Sequence, residues 1–262
     1  MSAIILDGSM VHYEALGRGR PIIFLHGWVG SWRYWINAMQ VASTSFRAYA
    51  IDLFGFGDTV RDPSSYSIEK QAQLLDRFLN EMGIGKVALV GHDLGAMVAF
   101  QYLKKKYESV DRMMAISAPL DYQLLAPRMR TAPATELAEW LTARQPDAMT
   151  ALSDASKVDP AAVAASMSSL QTDNIFPQVR NFGVPCLFVY GANDQAFSTV
   201  PSQESNNLPM HMHQINLEGS GHFPMLDNVS QFNRLLVDFL ALDSGVSPSE
   251  LQMKEEWKRR VR

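Results

Sequence analysis

Short continuous apolar runs recur along this chain, and most are followed by a stretch in which apolar residues return every three or four positions. A short unbroken run suits a strand buried on both faces, and the longer spacing suits a helix packed along one side. The runs are Ile22 to Leu25, Arg47 to Ile51, Val87 to Val90, Met113 to Ile116, Cys186 to Tyr190 and Met212 to Leu217. Trp32, Trp35, Ile36 and Met39 mark one face of a helix starting near Ser31. Ile68, Ala72, Leu75, Phe78 and Leu79 mark another, behind Ser67 as its N-cap. Ala96 to Leu103 and about Ser230 to Leu242 carry the same spacing. Ahead of them, Ala3 to Leu6 and Met10 to Ala15 read as two strands joined at Asp7-Gly8, a strong hairpin signal. An antiparallel start followed by strand–helix alternation predicts an α/β fold with a mostly parallel sheet flanked by helices.

Between Pro119 and about Arg180 the alternation stops. Helical spacing appears around Glu136 to Ala143 and Ala161 to Leu170, with prolines between and no strand pattern. Residues 119–180 are therefore expected to form a helical cap inserted in a core of residues 1–118 and 181–242. Residues 243–262 form a tail, in which Ser247-Pro248-Ser249-Glu250 has capping-box spacing with proline at the first helical position. Met253, Trp257 and Val261 would make one apolar stripe there, with Lys258, Arg259, Arg260 and Arg262 at the favourable end of the helix dipole. So few anchors make a weak membrane helix, and the stripe is expected to dock on the chain's own surface.

Composition narrows the classes. The 262 residues are 47% hydrophobic, enough to bury a full core, and the net charge of −4 leaves no basic stripe for nucleic acid. No apolar run reaches bilayer length and the amino terminus lacks a signal-peptide pattern, so a soluble cytoplasmic protein without stable membrane association is expected. Cys186 is the single cysteine and lies in a buried-strand pattern, which suits a small core residue. His211 and His213 alternate along one strand, but two histidines without further ligands do not make a metal site. His12 reads as a surface or strand residue. No cofactor is implied, and the oligomeric state is left open.

The chemistry centres on Gly91-His92-Asp93-Leu94-Gly95, between a buried strand and a helix. A strand turning this sharply into a helix strains its middle residue and leaves no room for side chains on its neighbours. The middle side chain then stands above the sheet edge, beside the free amides of the new helix. Asp194 follows a second buried strand in Tyr190-Gly191-Ala192-Asn193-Asp194, and His222 follows the last strand in Gly219-Ser220-Gly221-His222-Phe223-Pro224. His26-Gly27-Trp28 ends an early strand.

In this order, from Ala3 to Leu242, the chain resembles the α/β-hydrolase superfamily, whose nucleophile elbow is written G-x-S-x-G in the serine enzymes. The resemblance implies an eight-stranded sheet with a small cap, and a small-molecule substrate. It implies Asp93 as nucleophile, His222 as general base, Asp194 as its orienting partner, and the amides of Trp28 and Leu94 as an oxyanion hole. Asp121, after the preceding strand, is the alternative acid. His26 and Gly27 are expected to shape the loop, and Asp52, Gly55 and Gly57 resemble a structural loop motif of the family.

Aspartate in place of serine shifts the chemistry. A carboxylate needs no deprotonation at neutral pH, since its ordinary pKa is about 3.9. Attack on an ester carbonyl would give a mixed anhydride that collapses backwards. Attack on a saturated carbon bearing a halide or strained oxygen gives an alkyl ester that water can cleave. Such chemistry resembles that of epoxide hydrolases and haloalkane dehalogenases. Leu94 stands where dehalogenases commonly carry tryptophan, and the expected cap holds one tyrosine, Tyr122, where epoxide hydrolases use more. Tyr122 and Trp140 are the candidate substrate-binding residues, with Trp28 or Trp140 as an indole donor. His26-Gly27-Trp28-Val29-Gly30-Ser31 looks equally like the serine esterases. An esterase frame with its serine replaced, or a ligand-binding protein of the same fold, are the alternatives.

Overall fold

The computed structural model describes residues 2–142, 149–172, 175–201 and 208–251. Its opening hairpin pairs β1 (Ser2–Leu6) with β2 (Ser9–Gly17) through Asp7 and Gly8, both at positive φ. Three strands and two helices follow: β3 (Arg20–Leu25), α1 (Ile36–Ala42), β4 (Phe46–Ile51), α2 (Ile68–Glu81) and β5 (Val87–His92). Next come α3 (Leu94–Lys106) and β6 (Val110–Ile116). The sheet closes with β7 (Cys186–Gly191) and β8 (Met212–Leu217), in the order β1-β2-β4-β3-β5-β6-β7-β8. Only the β1–β2 and β2–β4 pairings are antiparallel. The expected eight-stranded, mostly parallel α/β sheet is thus the one formed.

Ser67 caps α2 by accepting from the Lys70 amide, as its position in the sequence predicts. From β3 the chain steps outward to β4, then reverses across β3 to β5. Right-handed crossovers in opposite directions put α1 and α2 on opposite faces of the sheet. That reversal opens a crevice at the carboxyl ends of the central strands, where ligands bind in open α/β sheets. Ile22 to Leu25 and Val87 to Val90 are almost wholly buried, which is why these runs carry no alternation.

Between β6 and β7 the described residues form α4 (Pro127–Thr131), α5 (Ala134–Thr142), α6 (Met149–Ala155), α7 (Pro160–Thr172) and α8 (Phe176–Val179), with no strand among them. The two helices expected here are α5 and α7; the others are too short to show a period in the sequence. Polar contacts tie α6 and α7 to the core. Ser31 donates to Asp154, whose other oxygen lies 3.2 Å from Arg33 Nη1. Lys157 Nζ lies 3.1 Å from Asp58, and Tyr66 donates to Asp159 at 2.7 Å. Two helices close the core, the short α9 (Pro224–Asp227) and the longer α10 (Val229–Ala241), which packs on α1.

Some expectations need correction. Ile36, assigned to the buried face of α1, is exposed at its first turn. His211 sits in the turn before β8 and does not share a strand face with His213. Of the two readings of His12 the strand one holds, since it is buried on β2 and bonds to Asp52 at 2.9 Å. In the tail, Ser247 caps a single tight turn over Pro248–Glu250, and Met253, Trp257 and Val261 lie outside the described residues. No helix among the described residues is long and apolar enough to cross a membrane.

Candidate active site

Asp93 sits at the junction of β5 and α3 with φ of 54° and ψ of −114°, a conformation that non-glycine residues rarely hold. The surroundings impose it. A Cβ on Gly91 would lie 2.6 Å from the Ala96 backbone, and one on Gly95 would lie 2.7 Å from the His26 carbonyl oxygen. Both flanks must be glycine for α3 to start against β3. The strained residue is held by its own amide, which donates to Ile116 O at 2.9 Å, and by its carbonyl, which accepts from Ala96 at 3.1 Å.

Asp93, His222 and Asp194 come together, each at most 3% exposed. His222 Nδ1 lies 3.1 Å from each Asp194 oxygen, so it carries the proton and Nε2 faces Asp93, 3.5 Å from Oδ2. The Trp28 amide donates to the same Oδ2 at 3.4 Å. Asp93 Oδ1 has no hydrogen-bond partner among the described residues. Leu94, behind Asp93, opens α3. Asp121, the alternative acid, is exposed and caps the turn over Tyr122–Leu124.

The electrostatics follow from burial and charge. Burial pushes the Asp93 carboxyl above the usual carboxylate range, and His222 pulls it back. Burial alone would lower His222, but Asp194 and then Asp93 outweigh it and raise its pKa to about 10. At neutral pH the proton therefore sits on the imidazole, between Asp194 and Asp93.

Several supporting residues escaped the sequence. Ser117, just past β6 and at φ of 46°, donates to Asp194 Oδ2 at 2.8 Å. With Ala196 N on Oδ1 at 2.9 Å, this fixes the carboxylate for His222. His26 accepts the Leu53 amide on Nε2 at 3.0 Å, so Nδ1 bears hydrogen and donates to Gly27 O at 2.8 Å. Across that peptide plane the Trp28 N–H points the opposite way, toward Asp93. The Gly27 amide donates to Tyr34 Oη at 2.6 Å. His92 donates from Nε2 to the His222 carbonyl at 2.9 Å, so its Nδ1 receives the Tyr34 hydroxyl proton at 3.0 Å. Burial keeps His92 neutral, its pKa well below the ordinary value, as this chain of donors requires. Of these residues the sequence marks His26, as one that shapes the loop, and His92 only by its place within the elbow.

The candidate substrate residues Trp140 and Tyr122 pack against arginines. Trp140 is partly buried beneath the Arg128 guanidinium, 5.1 Å from its ring centre, and Tyr122 stacks under Arg130 at 4.7 Å. Neither bonds to the triad. The Trp28 indole N–H donates to Ser166 of α7 at 2.8 Å, so it is not turned to Asp93. His12, Asp52 and Asp58 cluster closely enough to hold a cation. Their oxygens already accept from Trp32, His12, Arg33 and Lys157, which makes the cluster structural.

A buried carboxylate, an oriented imidazole and a backbone amide on one oxygen can support nucleophilic attack followed by hydrolysis. Comparison with known proteins agrees with this frame. The profile of a family described as the alpha/beta hydrolase fold matches residues 20–158. A soluble epoxide hydrolase from Corynebacterium sp. (strain C12) is 30% identical over 112 residues, 43% of this chain and 39% of that protein. The chain thus spans about two fifths of that relative's length. The crystal structure of an N-acyl homoserine lactonase, AidH, superposes with a TM-score of 0.81 at 18% identity, covering 91% of this chain and 96% of that one. An esterase from Exiguobacterium antarcticum gives 0.81 at 17% identity, covering 92% and 99%. At these identities the structures establish likeness of fold alone.

Proposed function

The chain belongs to the α/β-hydrolase family, and from that membership we propose that it is a hydrolase using Asp93 as nucleophile on a small epoxide or halogenated substrate. The observation that carries the proposal is the setting of one oxygen. Asp93 Oδ2 faces the Trp28 amide at 3.4 Å and His222 Nε2 at 3.5 Å, while Oδ1 has no partner among the described residues.

In the first step an Asp93 oxygen attacks a saturated carbon. The carbon–halogen or strained carbon–oxygen bond breaks, and its electron pair leaves on the halide or on the opening oxygen, which takes up a proton. The product is an alkyl ester of Asp93. Its formation removes one of the two negative charges that hold the proton on His222, so the imidazole gives that proton up, to the opening oxygen or, with a halide, to solvent, and becomes available as a base. His222 then takes a proton from water, the oxygen adds to the ester carbonyl, and the oxyanion faces the amides of Trp28 and Leu94. Collapse expels the alkoxide, which takes the proton from His222 and leaves as an alcohol or diol. Asp93, formed as the acid that keeps the second water proton, passes that proton to His222 and so returns to a carboxylate. Asp194, fixed by Ser117 and the Ala196 amide, orients the imidazole throughout. The resemblance to epoxide hydrolases, though over less than half of the chain, supports the same class of substrate.

Blocking the second step tests the first. In His222→Gln the alkyl ester should accumulate, and intact-mass measurement with styrene oxide or 1-bromobutane should show one substrate-derived adduct, mapped to the Asp93 peptide. An unmodified protein after prolonged incubation, with wild-type turnover of those compounds established, contradicts the proposal.

A second reading, an esterase frame with serine replaced, draws on the donors. The Trp28 indole is engaged by Ser166, so it does not support a departing oxygen or halide. Under that reading Asp93→Ser gains hydrolysis of short-chain esters, and the wild type turns over neither epoxides nor haloalkanes.

A further inference from the structure

At the opposite end of the sheet from Asp93, the amino-terminal ends of β3, β5 and β6 surround a cavity of about 150 Å³. Arg20, Lys86, Asp111 and Arg112 supply its charged lining, and Phe46 and Leu240 part of its apolar wall.

The local strand pairing is irregular at this point. Val87 pairs with Val110 and Ala88 with Arg112, so Asp111 is an extra residue with no partner on β5. Such a bulge re-aims the side chains around it. Arg112 is 2% exposed, yet its guanidinium is only partly satisfied. Nε lies 2.7 Å from Asp111 Oδ2 and Nη1 donates to Phe239 O at 2.8 Å, while Nη2 has no acceptor among the described residues. Asp111 is spoken for twice, by Arg112 and by the Ser244 hydroxyl at 2.8 Å. Arg20 lies over the Phe46 ring, 5.1 Å from its centre.

Three cations against one carboxylate leave an excess of two positive charges in a cavity of a chain whose net charge is −4. Two exposed cations, a buried guanidinium charge behind them and apolar walls are complementary to an anion carrying a small apolar body.

We propose that this cavity is a binding site, separate from the Asp93 site, for a small amphiphilic monocarboxylate of the size of benzoate. The carboxylate takes the charges of Arg20 and Lys86, with the buried charge of Arg112 behind them, and the apolar body lies against Phe46 and Leu240. Inorganic phosphate shares the charge but has nothing to place on the apolar wall.

Fluorine NMR of 4-fluorobenzoate titrated into the whole protein tests this, with 4-fluorobenzyl alcohol and inorganic phosphate as competitors. Saturable binding is expected, about tenfold tighter than that of the alcohol and resistant to millimolar phosphate. An Arg20→Gln, Lys86→Gln double variant, altered only at exposed positions, should weaken it about fivefold and leave hydrolytic turnover unchanged. Asp93→Asn should bind as the wild type does, which keeps the outcome independent of the reaction at Asp93. Equal affinity for the alcohol, displacement by phosphate, unchanged binding in the double variant, or no saturable binding would overturn the proposal.

Discussion

Gly27 lies so close to Asp93 that a Cβ on it would come within 2.8 Å of the Asp93 Cβ and 3.1 Å of Oδ2. The same residue carries the peptide whose far end is the Trp28 amide, so its smallness lets the amide and the carboxylate meet. In Gly27→Ala one of the two must give way. Displacing reacting groups by about 1 Å costs about 10²-fold in rate, and kcat/KM of Gly27→Ala should fall by that order with the fold retained in circular dichroism. Unchanged kcat/KM would mean that the Trp28 amide plays no part.

Tyr34 links the same loop to the histidine through His92. Tyr34→Phe keeps the ring but leaves the buried Gly27 amide without its acceptor. An unmade buried hydrogen bond costs about 1–3 kcal/mol, so a lowered denaturation midpoint is expected. The loop and the His222 backbone also lose their shared anchor, and kcat should fall more than KM rises. A stability loss with kcat intact would make the link purely structural.

Asp154 fastens α6 to the core through Ser31 and Arg33. Asp154→Ala strands both partners, and a charged hydrogen bond of this kind is worth about 1.5–3 kcal/mol. The expected result is raised KM and faster amide exchange in residues 149–172, with the sheet unaffected. Exchange unchanged in those residues would show that the contact does not hold them.

His222 also makes a pH prediction. Its folded pKa of about 10 lies above the unfolded 6.5, so between those values the folded state binds the extra proton. Stability from this group is present in full below the unfolded pKa and is lost as pH rises toward the folded one. Wild-type stability should therefore decline over that interval by more than that of His222→Gln. Parallel profiles would mean that the imidazole is not held protonated by Asp93 and Asp194.

Much of this architecture was legible in the sequence because its constraints are local. The elbow needs glycines at both flanks whatever the rest of the chain does, and the buried runs follow from strands covered on both faces. Asp194 and His222 could be placed because each follows directly on a strand. What escaped depends on pairing at a distance. Tyr34 and His92 are 58 residues apart in sequence, and neither carries a local sign of the other. Ser117 gives no hint, in composition or spacing, that its hydroxyl turns to Asp194. Tyr122 and Trp140 each lie beneath an arginine, Arg130 and Arg128, and those pairings too have no local signal.

The most direct measurement follows oxygen. After many turnovers of an epoxide or haloalkane in ¹⁸O-water, the peptide containing Asp93 should carry heavy oxygen in its carboxylate, because water enters at the ester carbonyl. Turnover with that carboxylate unlabelled, and the heavy oxygen found only in the product, would contradict a nucleophilic Asp93.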